Sequence, residues 1–248
     1  MTRYAIYAVP GALGAHDDAA AVSLRAAAET WYARKDFSEL TVSARRYGFH
    51  ATLKAPFRLA AGHTEAELQD ALTRFAAART ELVIPALSPR PLGAFRAMLP
   101  TGDLSSINAL AEETVREFDH FRAPLSREDI GRRRPAELSL RQRELFWQWG
   151  YPYVYDEFRF HLTLTDALPP HRAHEVDAAL ADHFADVTGQ DVALRSVVIA
   201  VEPDSVESTP VESTPGESAP AGSSSAESAP AAPFEILSVH PFAPTITT

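Results

Sequence analysis

Residues 45–59 read RRYGFHATLKAPFRL, and residues 157–168 read EFRFHLTLTDAL. Both stretches contain Phe-His-x-Thr-Leu, with the histidines at positions 50 and 161. Within each stretch apolar and polar residues alternate along the chain, and turn-forming residues bound the stretch at both ends. This pattern predicts a β-strand. Because side chains on a strand alternate between its two faces, the His and Thr of each copy share one face and the apolar residues share the other. The pattern therefore predicts two strands that each bury one face and present His and Thr on the opposite face.

The residue types on the two polar faces suit phosphodiester chemistry. Two strand rises, about 6.6 Å, separate each His from its Thr, so both reach one phosphate-sized group. With the strands facing each other, a neutral imidazole takes a proton from water while a protonated one gives a proton to the leaving oxygen. We predict that His50 and His161 are catalytic and that Thr52 and Thr163 donate to the phosphate oxygens. The sequence leaves open which histidine is the base, and the chemistry calls for no metal and no cofactor.

Positive charges beside the motifs are the next candidates. Lys54 and Arg159 have the strand parity of the His/Thr faces, which predicts that they bind the same phosphate. The remaining candidates for a second phosphate or for a sugar ring are Arg132, Arg133, Arg134, Tyr4 and Tyr153. For the three arginines, the alternative of a solvated helix end stays open. For the two tyrosines, the alternative of aromatic packing stays open.

Composition narrows the classes of protein that fit the chain. It has 248 residues, 46% of them hydrophobic, no cysteine and a net charge of −10. No apolar run is long enough to span a membrane and no signal-peptide pattern opens the chain, so a cytoplasmic protein without membrane association is expected. Without cysteine there is no disulfide framework. The acidic balance argues against DNA as a partner and favours a small phosphorylated substrate that meets a local basic patch.

Residues 203–233 differ in composition from the rest of the chain. They repeat VESTP in tandem, are rich in Pro, Ser, Glu and Ala, and contain five acidic residues and no Lys or Arg. Such a segment buries too little apolar surface to offset its conformational entropy, so we predict a disordered insertion between the last two strands. The globular part is then residues 1–202 plus 234–248, with motif strands near 47–55 and 158–166.

Hydrophobic periodicity predicts the remaining elements. Further strands are expected at 3–9, 81–87, 92–99, 192–201 and 233–242, and helices at 18–34, from 64, at 103–118, within 127–149 and at 170–187. After each motif the predicted order is the same: strand, amphipathic helix, strand, strand. This common order indicates duplication or pseudo-symmetry.

Several stretches resemble a known family. RYAIYAVP, RRYGFHATLKAPFRLA, FRAPLSREDIGRRRP and WGYPYVYDEFRFHLTLTDAL resemble the two-histidine phosphoesterase superfamily, which includes 2′-5′ RNA ligase-like proteins and cyclic phosphodiesterases. They look most like its phosphonate-metabolism branch, found beside carbon–phosphorus lyase genes. The resemblance covers roughly residues 3–202 and 234–243.

What the resemblance implies is a bilobed, pseudo-two-fold α+β fold, in which two antiparallel sheets with flanking helices direct the His-x-Thr-Leu strands at a central cleft. It also implies metal-independent hydrolysis of a cyclic phosphate, such as 5-phosphoribosyl 1,2-cyclic phosphate in phosphonate breakdown. Two alternatives stay open: an RNA 2′,3′-cyclic phosphodiesterase or RNA-end ligase, and a sugar-phosphate binding protein without catalysis. Histidines 171, 174 and 183 lack the spacing of a metal site, and nothing in the sequence indicates an oligomeric state.

Overall fold

The computed structural model describes residues 2–202 and 234–244, and the predicted insertion at 203–233 lies outside them. The fold is mixed α and β with antiparallel sheets, as predicted. The strands of the described part are β1 (Arg3–Ala8), β2 (Ala51–Phe57), β3 (Leu82–Ile84), β4 (Ser88–Leu92), β5 (Phe95–Leu99), β6 (Leu162–Thr163), β7 (Val192–Leu194), β8 (Ser196–Glu202) and β9 (Glu235–Pro241). Its α-helices are α1 (Ala19–Tyr32), α2 (Val42–Tyr47), α3 (Glu65–Ala77), α4 (Ser105–Glu117), α5 (Arg127–Arg133), α6 (Leu140–Trp149) and α7 (Ala173–His183).

The two motif strands belong to different sheets. The first sheet has the order β2-β1-β8-β9, the second β4-β5-β6, and β3 pairs with β7 in a third. Each motif strand therefore lies at the edge of its sheet. After each motif the chain forms a helix, a short strand and two strands that pair with each other, so the order is common to both halves as predicted, with one strand more than predicted in each. The last of these pairs, β8 with β9, flanks residues 203–233.

Side-chain alternation in both motifs is confirmed. Phe49, Ala51 and Leu53 are buried while His50 and Thr52 are partly exposed, and the second motif repeats this pattern. The buried residues of both motifs join one hydrophobic core together with residues from α1, α3, α4 and α7. The hydrophobic core thus holds each motif segment by its apolar face and leaves the His and Thr side chains on the opposite face.

The motif strands are shorter than predicted, and the backbone explains why. Residues 42–47 form α2, which ends at Gly48 with φ 72°, so β2 begins only at Ala51. At the second motif both Leu164 N and Thr165 N donate to the carbonyl of Arg96, which ends the regular ladder after two residues.

The predicted helices form, with one division. The stretch 127–149 divides into α5 and α6 because Arg134 adopts a left-handed conformation before Pro135, which cannot continue the helix hydrogen bonding. At α3, whose start the sequence predicts at residue 64, a capping box is present: Thr64 accepts from the backbone of Glu67, and the Glu67 side chain accepts from Thr64 N. The sequence signals for helix ends therefore have direct counterparts in hydrogen bonds.

We expect Thr64→Ala to lower the free energy of unfolding by about 1 kcal/mol, since it removes the N-cap acceptor of α3. Urea unfolding followed by circular dichroism measures the loss. Thr30→Ala is the matched control, because the Thr30 hydroxyl only donates to Ala26 O within α1 and its removal should change stability by less than about 0.5 kcal/mol. Equal losses in the two variants would contradict the assigned role of the cap.

Candidate active site

The two motif histidines make the same local hydrogen bond. Nδ1 of His50 lies 2.9 Å from the carbonyl oxygen of Gly48, and Nδ1 of His161 lies 2.7 Å from that of Arg159. A carbonyl oxygen only accepts, so in each ring Nδ1 carries the proton and donates. In the neutral form Nε2 then has a free lone pair. Both rings therefore offer the same nitrogen for proton transfer.

A tyrosine of the neighbouring strand orients the first histidine. The Tyr7 and His50 rings stack with centroids 3.9 Å apart and planes 27° apart. Tyr7 is also the cross-strand neighbour of Thr52 in the pairing of β1 with β2. The stack and the Gly48 hydrogen bond together restrict how the imidazole turns.

Helix α1 holds the second motif through its backbone. Trp31 Nε1 donates to the carbonyl of Leu164 at 2.9 Å, and the Tyr32 hydroxyl donates to that of Thr163 at 2.5 Å. Both aromatic side chains are buried. Burial raises the pKa of Tyr32, so its hydroxyl stays a donor. These two bonds supply anchors that a strand of two residues lacks.

Asp166 connects the segment after the second motif to the helix before the first. Its carboxylate accepts from Ser43 N at 2.9 Å and Ala44 N at 3.0 Å, at the start of α2, and Asp166 N donates to Leu40 O at 2.7 Å. The carboxylate also complements the positive end of the helix. This contact ties the positions of the two motifs to each other.

His50, Thr52 and Thr163 line one cleft of about 830 Å³. His161 lies close enough to His50 to lower the pKa of His50 electrostatically. The cleft is also lined by four arginines and three carboxylates: Arg3, Arg46, Arg132, Arg133, Glu128, Asp166 and Glu202. The cleft thus offers an anion one imidazole, two hydroxyls and several guanidinium groups, and the second imidazole, that of His161, lies near His50.

Both histidines are neutral in the unliganded protein at neutral pH. Burial lowers the pKa of His50 to about 4; the Gly48 hydrogen bond opposes this shift and the nearby His161 adds to it. Burial also lowers the pKa of His161. A bound phosphate would favour the charged form of either ring. Both rings are therefore available as proton acceptors in the unliganded protein.

Lys54 does not line the cleft with the motif residues. This contradicts the prediction, drawn from strand parity, that Lys54 lies on the face of His50 and Thr52. It is buried, and its Nζ lies 3.2 Å from Asp119 Oδ1 and 3.3 Å from the carbonyl of Val115. The register of β1 with β2 is irregular here, so Lys54 pairs with the core residue Ile6 while Thr52 pairs with Tyr7. This irregularity separates Lys54 from the face that carries Thr52.

His161 and four other candidates also lie outside the residues that line the cleft. Arg159 is exposed, and Arg134 pairs with Glu137 at 3.7 Å on the surface. Tyr4 is buried in the core, where its hydroxyl donates to Glu65 at 2.9 Å. Tyr153 is exposed, and its ring packs edge-on against that of Tyr151. Of the five arginine and lysine candidates, Arg132 and Arg133 reach the cleft.

Sequence reasoning missed a group of residues that the structure brings to the cleft. Glu202 is buried and accepts from both Arg3 and Arg46. Position 46 belongs to the first motif stretch, whereas positions 3 and 202 meet only because β1 pairs with β8. The sequence does contain a signal for Tyr7, because the alternation of residues 3–9 predicts the strand in which it lies. Glu202 had none.

Within residues 2–202 and 234–244, no group of three or more His, Cys, Asp or Glu side chains is arranged to hold a metal ion. Over the same residues, no helix has both the length and the apolar character needed to cross a membrane.

Comparison with known proteins identifies the family. The family described as "Protein of unknown function (DUF1045)" matches residues 52–208, more than half of the chain, and the chain belongs to it. The match includes Thr52, His161 and Thr163.

Two curated relatives carry the name "Ribose 1,5-bisphosphate phosphokinase PhnN". The protein from Janthinobacterium sp. (strain Marseille) is 44% identical over 169 residues, which is 66% of this chain and 37% of the relative. That from Laribacter hongkongensis (strain HLHK9) is 35% identical over 173 residues, 68% of this chain and 38% of the relative. The chain thus spans less than two fifths of either relative. A solved structure, the conserved protein of unknown function ATU0111 from Agrobacterium tumefaciens str. C58, aligns at a TM-score of 0.39 and 12% identity, covering 81% of this chain and 80% of its own.

We expect the imidazole of His50 to titrate near pH 4 in the folded protein and near 6.5 in urea. Between these values the unfolded chain binds more protons, so stability is lost as the pH falls from 6.5 towards 4. NMR titration of the ring protons, assigned with His50→Phe, measures the pKa. A folded-state value at or above 6.5 would contradict the lowering of the His50 pKa by partial burial.

Asp166→Ala should lower the free energy of unfolding by about 1 kcal/mol, because the first N–H groups of α2 lose their acceptor. Asp166→Asn keeps one side-chain oxygen and should recover part of that loss. Urea unfolding of both variants tests the expectation. If the two variants lose the same stability, the contact with α2 is not the reason.

Proposed function

We propose that this chain is a metal-independent phosphodiesterase of the two-histidine superfamily that opens a small cyclic phosphate. The observation that carries the proposal is the equivalence of the two motifs. In each, the histidine donates from Nδ1 to the carbonyl two residues earlier and leaves Nε2 free. A site that only binds phosphate needs no pair of imidazoles with matched free nitrogens, whereas general acid–base catalysis does. A pseudo-two-fold relation between the halves, with the motif strands facing one cleft, belongs to the same proposal.

The reaction divides between the two imidazoles. Nε2 of one neutral histidine takes a proton from water, whose oxygen forms a bond to phosphorus. The bond from phosphorus to one ring oxygen breaks, and the other histidine, protonated, gives its proton to that oxygen. The product is a phosphate monoester with a free hydroxyl, and proton exchange with solvent restores the two rings. Thr52 and Thr163 donate to the non-bridging oxygens, which carry the developing charge.

The names of the relatives support a particular substrate. Both are named for a kinase of ribose 1,5-bisphosphate. Hydrolysis of 5-phosphoribosyl 1,2-cyclic phosphate with cleavage at the C2 oxygen yields ribose 1,5-bisphosphate, so the product of one reaction is the compound in the name of the other. We therefore propose 5-phosphoribosyl 1,2-cyclic phosphate as the substrate and phosphonate breakdown as the setting.

The sequence does not favour kinase activity in this chain itself. A P-loop requires Gly-x-x-x-x-Gly-Lys before its hydroxyl residue. The two lysines of the chain, Lys35 and Lys54, follow Arg34 and Leu53. We propose that the named kinase activity belongs to the larger part of each relative that this chain does not match.

The test is ³¹P NMR of the EDTA-treated protein with 5-phosphoribosyl 1,2-cyclic phosphate, nucleoside 2′,3′-cyclic phosphates and a short RNA ending in a cyclic phosphate. We expect the first ring to open to a 1-phosphate. His50→Ala and His161→Ala should each lower kcat by about 10²- to 10⁴-fold, the usual contribution of one proton transfer.

His171→Ala is the matched control, since His171 is exposed and lies outside both motifs; it should retain wild-type turnover. If all rings stay intact with wild-type protein, the hydrolase proposal is wrong, and a binding protein becomes the better account. Preferred opening of the RNA end would instead favour the RNA phosphodiesterase.

A further inference from the structure

A small inner pocket of about 50 Å³ adjoins the cleft. The two spaces share Arg3, Arg132, Arg133 and Tyr151 among their lining residues. The inner pocket continues past the end of β2 to the C-terminus of α6. Since a single water occupies about 10–15 Å³ by this kind of measure, the pocket has room for a group of several heavy atoms. A molecule bound in the cleft can therefore extend one end into it.

The inner pocket is lined by more cations than carboxylates. Its six positive residues are Arg3, Lys54, Arg58, Arg122, Arg132 and Arg133. Four of them are well shielded from solvent, with side-chain exposures of 4% to 17%. One carboxylate, Asp129, lines the same space. The local charge is thus strongly positive in a chain whose net charge is −10.

Each of three nearby carboxylates, two partly exposed and one buried, is shared by two cations. Asp119 pairs with Lys54 and Arg122, Asp129 with Arg58 and Arg132, and Glu202 with Arg3 and Arg46. The further carboxylate, Glu128, meets Arg132 at 3.4 Å on the surface. Shielded cations in excess of their counter-ions repel one another. A bound dianion would relieve that repulsion.

Arg133 has no carboxylate partner among the described residues. Its guanidinium lies 4.6 Å from the centre of the Tyr151 ring, at the junction of the cleft and the inner pocket. Burial raises the pKa of Tyr151, which keeps the phenol as a hydrogen-bond donor. A planar guanidinium beside a neutral hydroxyl suits the oxygens of a phosphate.

We propose that the inner pocket binds a second phosphate of the substrate, a terminal monoester, while the cyclic phosphate lies between the two histidines. The enzyme then selects cyclic phosphates that bear a second phosphate over those that lack one. This inference rests on the proposed function for the ring that is opened. The binding of the monoester can be measured without turnover.

The first test compares two substrates with the same ring, 5-phosphoribosyl 1,2-cyclic phosphate and ribose 1,2-cyclic phosphate. Arg133→Gln should lower kcat/KM for the first by about tenfold, the value of one charge-assisted hydrogen bond, and change the second by less than twofold. Arg133→Lys, which keeps the charge, should recover part of the loss. Arg134→Gln is the matched control, because Arg134 lies outside both spaces, and it should leave both substrates unchanged.

The second test is calorimetric titration of ribose 5-phosphate into wild-type protein and the same variants. Binding should weaken about tenfold in Arg133→Gln and not in Arg134→Gln. This result would support binding of the monoester in the inner pocket even if no ring is opened. Equal losses of kcat/KM for both ring substrates would overturn the inference, because the arginine would then serve the reacting phosphate. Unchanged affinity for ribose 5-phosphate in Arg133→Gln would also overturn it.

Discussion

The contact between Asp166 and the N-terminus of α2 is the constraint on which the site depends. The two motifs belong to separate sheets, and the second motif strand has only two residues. Strand pairing alone therefore does not align one histidine with the other. The carboxylate of Asp166, held by the first N–H groups of α2, connects the end of one motif to the approach to the other. Trp31 and Tyr32 add support by binding the backbone carbonyls of the second motif. Their common effect is to fix two polar faces that the hydrophobic core supports from behind.

Much of this arrangement follows from the sequence, because its signals are local. Alternation predicts which motif residues are buried, and the Thr64 capping box predicts where α3 begins. Lys54 shows where local reasoning fails: its parity matches that of Thr52, but an irregularity in the pairing with β1 places it opposite the core residue Ile6. Glu202 is beyond such reasoning altogether, because its partners Arg3 and Arg46 reach it only through tertiary contacts.

The electrostatics of the site differ from those of the whole chain. Neutral histidines and an excess of arginines suit the anionic substrate proposed above, although the net charge is −10. Because both imidazoles are neutral before binding, the negative charge of the substrate is what would raise the pKa of the acid. Substrate binding and the protonation needed for catalysis are then one coupled step. In the proposed reaction, this coupling would supply the protonated imidazole at neutral pH.

The most direct test of two-histidine catalysis is the pH dependence of kcat/KM for 5-phosphoribosyl 1,2-cyclic phosphate, measured for wild type, His50→Ala and His161→Ala. Two-histidine catalysis predicts a bell-shaped profile for wild type, since one group must be neutral and one protonated. The residual activity of each variant should lose one limb, the acid limb when the base is removed and the alkaline limb when the acid is removed. The pair of profiles would also assign the two roles. A wild-type profile with a single limb, or variants that keep both limbs, would contradict two-histidine catalysis.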